Sequence, residues 1–121
     1  MSLERRALAR RAERDAVRFL KKHGYRILAR NFSCPAGELD VVALRDQVLS
    51  FVEVKAKSGM SNHPEEAVDS HKRRQLARVA DYFVHAKHLE DLPCQFDVVA
   101  INYDPQDQPH VSHFPDAFEH D

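Results

Sequence analysis

The chain has 121 residues, 43% hydrophobic and 31% charged, which suits one compact domain whose core needs no disulfide staples. Cys34 and Cys94 lie far apart and outside any CxxC pattern, which argues against a thiolate metal centre and a disulfide framework. No long apolar run occurs, and the first residues are Arg-rich without the apolar run of a signal peptide, so we expect a cytoplasmic protein with no membrane partner.

The formal net charge of −1 hides a strong gradient. Residues 1–30 hold ten Arg/Lys and three acids, a net of +7, whereas residues 88–121 hold eight acids and no Arg or Lys. A basic front half can meet a polyanion even when the whole chain is near neutral. A solvated helix face explains the same charges equally well.

Residues 3–25 read as an amphipathic helix, with Ala9, Ala12, Ala16, Val17 and Leu20 on one stripe. Gly24 suits the position just past its end. Tyr25 to Phe32 reads as a first strand, and Pro35-Ala36-Gly37 as a turn. GELDVVAL and VLSFVEVKA read as a hairpin around Arg45-Asp46-Gln47, followed by the polar loop SGMSNHP. Residues 65–88 read as a second long helix, with Val68, Leu76, Val79, Ala80 and Phe83 facing inward and Glu65-Glu66 in the first turn. QFDVVAINY is a fourth strand. The acidic, Pro-containing tail 104–121 is expected to add a short strand at HVSHF and then fray. The result is a single α/β domain over residues 1–121, a mixed sheet flanked by helices in the order α-β-β-β-α-β.

FVEVKAK, residues 51–57, is the unusual strand, because Glu53 and Lys55 interrupt an apolar run and fall on one face. If Asp46 and Gln47 form a two-residue turn, Leu44 faces Leu49, Val42 faces Phe51, Asp40 faces Glu53 and Glu38 faces Lys55. That face is then apolar near the turn and charged at its far end. A three-residue loop would instead put Asp40 on the opposite face. Two carboxylates about 5 Å apart at Cβ repel unless a cation sits between them. Lys55 and a divalent ion are the candidates. Glu13 lies within the apolar stripe of the first helix, where a carboxylate is rarely buried without a partner. Packed near the hairpin's charged end, it would join Asp40 and Glu53. Mg²⁺ and Mn²⁺ take such oxygen ligands, and a nearby lysine can position a water or hold developing charge. A structural ion cluster, or inward charges protecting a sheet edge, is the competing reading.

Asp40 followed by Glu53-Val54-Lys55 resembles the D…ExK signature of the PD-(D/E)xK nuclease superfamily. Five ordered blocks, AERDAVRFLKKHGYRILARNF, GELDVVAL, FVEVKAK, EEAVDSHKRRQLARVADYF and QFDVVAI, resemble the YraN-like family, predicted endonucleases similar to Holliday junction resolvases. The resemblance implies a restriction endonuclease-like core. It also implies Asp40, Glu53 and the Val54 carbonyl as metal ligands, Lys55 as catalytic lysine and Glu13 as a helix carboxylate of the site. The family usually carries Gly where this chain has Ala12 and Arg where it has Lys57. Lys57 keeps the charge but loses the bidentate fork. Lys57, Lys72, Arg73, Arg30 and Asn31 are the expected nucleic-acid contacts, with Arg26, Arg74 and Arg78 behind them. Glu38 is expected to bridge to Lys55, and Asp97 to be structural. The substrate implied is branched or structured DNA. Symmetric resolution of a four-way junction would require a homodimer. Two other readings stay open: a non-catalytic nucleic-acid-binding or partner-docking module on a nuclease scaffold, and an interaction domain whose acidic tail covers its basic face.

Overall fold

The computed structural model describes residues 2–57 and 68–118, without the side chain of Lys57. Helix α1 spans Leu3–Lys22, strands β1 Arg26–Cys34, β2 Gly37–Arg45 and β3 Val48–Lys57, helix α2 Ser70–Lys87, and strands β4 Cys94–Tyr103 and β5 Pro109–Phe118. The strands form one five-stranded sheet in the order β1-β2-β3-β4-β5, antiparallel except for the parallel β3–β4 pair. The chain crosses between those parallel strands through α2, as parallel neighbours require. This is the mixed α/β architecture of a restriction endonuclease-like core.

Helix α1 starts where the Ser2 hydroxyl accepts from the Arg5 amide. It ends on Gly24, whose φ of 87° lets the Gly24 and Tyr25 amides donate back to the Lys21 and Leu20 carbonyls. Its inward face buries Ala12, Ala16, Val17 and Leu20 against Val41, Ala43, Val52, Val99 and Ile101. Helix α2 covers the other face, where Leu76, Val79, Ala80 and Phe83 meet Leu39, Val42, Leu49, Phe51, Phe96 and Val98.

The hairpin register is the expected one: Arg45 pairs with Val48, Leu44 with Leu49 and Val42 with Phe51. Asp46 and Gln47 both take positive φ, 52° and 65°, the backbone of a type I′ turn made here without glycine. Three expectations need correction. Helix α2 begins at Ser70, because the Asp69 carboxylate accepts from the Lys72 amide and caps it there. Val68 is buried ahead of the helix, while Glu65 and Glu66 lie outside the described residues. The tail strand is longer than HVSHF, since β5 pairs with β4 from Pro109 to Phe118. Glu38 does not bridge to Lys55. It accepts from the Ser33 hydroxyl at 3.2 Å, and Lys55 makes no ion pair among the described residues.

Candidate active site

The β2–β3 ladder is paired from the turn to Val41–Val52 and no further, although both strands continue. Beyond that point the Val54 amide donates not to a backbone carbonyl but to Asp40 Oδ2, at 2.8 Å. In a strand, the N–H and C=O of one residue point to the same side, so the Val54 carbonyl also faces this split. Asp40 therefore does not stand simply opposite Glu53 on one face. Leu39 and Val42 pack toward α2, yet Val41 packs toward α1, so alternation fails between them and Asp40 turns toward the α1 side.

Glu53 keeps the α2 side. It is 8% exposed, and its Oε2 is buried without a hydrogen-bond partner. Burial, the hydrogen-bonding contact with Asp40 and the Asp40 charge push the Glu53 carboxyl up to about 8. Lys72 Nζ stands 3.6 Å from Oε2 and offsets this in part, as Lys55 does to a smaller extent. Two adjacent carboxyls, one with an unsatisfied buried oxygen, a backbone carbonyl and a lysine form a hard-oxygen donor set. Mg²⁺ or Mn²⁺ fits such a set. Among the described residues no group of three or more His, Cys, Asp or Glu side chains is placed to hold a metal, so protein carboxylates would supply only part of the coordination. Mg²⁺ commonly keeps several waters in that situation.

Asp40, Val54 and Lys55 open into a cleft of about 620 Å³ between α1 and the end of the sheet. Its far wall is helical and basic: Arg5, Arg6 and Arg10, with Ala9 and Glu13 on the same helix. Glu13, 9% exposed, accepts from Asn31 Nδ2 at 2.8 Å and from Arg30 Nη2 at 3.4 Å. The expected nucleic-acid contacts are thus distributed unevenly. Arg30 and Asn31 are held by Glu13, and Lys72 by Glu53. Arg73 donates to the Val68 carbonyl at 2.8 Å and lies over the Phe118 ring. The Lys57 side chain lies outside the described residues. The cleft arginines Arg5, Arg6 and Arg10 are not among the contacts expected individually from the sequence. Their signal was present: Arg6, Ala9, Arg10 and Glu13 recur at i, i+3, i+4 and i+7, one helix face.

The mixed sheet split at its β2–β3 end, with Asp40 and Lys55 lining a basic cleft and Glu53 buried beside Asp40, places the chain in the restriction endonuclease-like class of folds. Residues 12–101 match the model of the uncharacterised protein family UPF0102. A UPF0102 protein of Syntrophotalea carbinolica is 41% identical over 122 residues, covering 100% of this chain and 98% of that protein. One from Geobacter metallireducens is 40% identical over 120 residues, with 98% of each chain covered, and one from Clostridium perfringens is 42% identical over 89 residues, 73% of each. The chain belongs to the UPF0102 family, the YraN-like group.

Proposed function

We propose that this protein is a divalent-metal-dependent endonuclease acting on branched or structured DNA. The observation that supports this best is the buried Glu53 Oε2, which has no hydrogen bond among the described residues, set against an Asp40 that itself lines an arginine-walled cleft. Asp40, Glu53 and the Val54 carbonyl would hold Mg²⁺ or Mn²⁺. When bound there, such an ion polarises a phosphoryl oxygen and acidifies a water. The chain's own groups supply the rest. Lys55 carries an ammonium with no ion-pair partner among the described residues, free to orient a water or meet charge developing on the phosphate. The Val54 amide orients Asp40 through a hydrogen bond at 2.8 Å. Arg5 and Arg10 offer phosphate contacts that position a strand without reading its sequence. The preference for branched substrates rests on the family resemblance, and a dimer would be needed to cut a junction symmetrically.

The test is cleavage of linear duplex, single-stranded, flap and four-way-junction DNA at low salt with Mg²⁺ or Mn²⁺. Glu53→Ala protein purified in parallel controls for contaminating nuclease. We expect cleavage of a structured substrate that falls at least about 10²-fold in the variant, the scale of losing one preorganised catalytic group. Junction binding with no cleavage by the wild type would instead establish a binding module on a nuclease scaffold.

A further inference from the structure

Glu13 has a job that its resemblance to a site carboxylate does not describe. Its Oε1 faces β1, where Asn31 donates at 2.8 Å and Arg30 at 3.4 Å. Consecutive strand residues normally point to opposite faces, yet Arg30 and Asn31 both reach the same carboxylate. The backbone explains this: Asn31 has a φ of 52°, the left-handed region, which Asn tolerates better than most residues. Asn31 lies between the paired positions Arg30–Val41 and Phe32–Leu39, so its neighbour across the ladder is Asp40. On that strand, too, alternation breaks, with Leu39 facing α2 and Val41 facing α1. The two strands are kinked at the same level.

We infer that Glu13 is a positioning residue rather than a metal ligand: by binding Asn31 and Arg30 it fixes the paired kink that turns Asp40 out of strand alternation and onto the Val54 amide. A non-glycine residue in the left-handed region persists only where its surroundings over-determine it, and the buried Glu13 carboxylate is the group that does so here. The cleft geometry then depends on a hydrogen bond one strand away from the acidic pair.

The primary readout is the Val54 amide, which needs no metal and no nucleic acid. Bonded to a carboxylate at 2.8 Å, its proton should resonate downfield and exchange slowly. Glu13→Gln keeps an acceptor for Asn31 and should leave the Val54 signal in place. Asn31→Val cannot comfortably adopt the left-handed φ. It should move the Val54 proton upfield and speed its exchange at least about tenfold, as a local opening would. Asn31→Gly keeps the backbone conformation and loses only the bond to Glu13. It should give an intermediate shift, so the inference does not rest on whether Asn31→Val folds. An unchanged Val54 amide in both Asn31 variants would overturn the positioning role. A second arm, resting on the metal-site reading above, titrates Mn²⁺ without DNA. Glu13→Gln should bind within about twofold of wild type, while Glu53→Gln loses at least about tenfold, the scale of removing a supporting contact or more. Equal losses in the two would make Glu13 a ligand and overturn the inference. No Mn²⁺ binding by the wild type would sink the metal-site reading while the Val54 readout still decides the role of Glu13.

Discussion

At Glu53, three effects act on one carboxyl and two of them agree. Burial and the Asp40 carboxyl both favour the protonated form, and the charges of Lys72 and Lys55 oppose them without prevailing, so the group titrates near 8 against 4.5 in its ordinary state. Because the folded value is the higher one, Glu53 contributes stability that is fully present below about pH 4.5 and is lost as pH rises through about 8. Ion-free wild-type protein should therefore lose thermal stability between pH 5 and pH 9. Glu53→Gln, which carries no titrating group, should lose markedly less over that range, since each pH unit between about 5 and 8 is worth up to about 1.4 kcal/mol to the wild type. Parallel melting curves in chelator decide it. Identical pH slopes for the two proteins would mean that Glu53 is not held protonated by its surroundings. Lys72 belongs to the same account. At 3.6 Å from Oε2 it is the cation paired with the carboxyl among the described residues, so it is engaged by Glu53 rather than presented to a strand of DNA.

Helix α1 carries the cleft's charge, and its contribution to the proposed DNA binding is separable from the proposed chemistry. Arg5, Arg6 and Arg10 line the cleft opposite Asp40 and Lys55, whereas Arg11 is turned away, bonded to Asp107 at 2.8 Å and stacked over Tyr103. Each phosphate neutralised by a lysine or arginine adds about 0.9 to the slope of log K against log salt on duplex DNA. Arg10→Ala should flatten that slope by about one contact, while Arg11→Ala should leave it unchanged and lower Tm instead. Equal effects of the two on the slope would remove the cleft from the binding surface. The same helix shows what a periodic sequence reveals. Ala12, Ala16, Val17 and Leu20 marked the buried face, and Gly24 marked the end, because spacing and capping are local. The hairpin register was half legible: a two-residue turn puts Leu44, Leu49, Val42 and Phe51 on one face, a three-residue loop does not, and the sequence left both open. The start of α2 was not legible, since Val68 sits at helical spacing from Leu76 but lies ahead of the capping Asp69. Nor was the kink at Asn31 and Asp40, because a local break in period two leaves no composition signal and is stabilised by Glu13 from another element. The acidic pair could be read from the sequence; the way Asp40 reaches it could not.

Across the whole molecule, the acidic tail is an integral part of the sheet through Phe118 rather than a detachable cover. Strand β5 closes the sheet beside β4, and Phe118 is buried, stacked on Phe96 with centroids 5.2 Å apart. Beneath it, Asp97 is fully buried, and its two oxygens meet Gln95 Nε2, the Asp116 amide and His113 Nε2, the last at 2.9 Å. The His113 ring packs edge-on against Phe19 of α1 and Tyr25, which follows it. One histidine thus ties the edge strand to a buried carboxylate and to the opposite helix. Removing residues 104–121 would expose the β4 edge and half of the Phe96 stack, so loss of DNA binding in that truncation would report unfolding rather than release of a covered face. His113→Ala is the sharper probe. It leaves a buried carboxylate short of one donor, which costs about 1–3 kcal/mol, and His113 is not among the residues that line the cleft. We expect a urea midpoint lowered accordingly with an unchanged m-value, and DNA affinity per folded molecule equal to wild type. A variant as stable as wild type would show that Asp97 is satisfied without His113, and that β5 is held by its ladder and Phe118 alone.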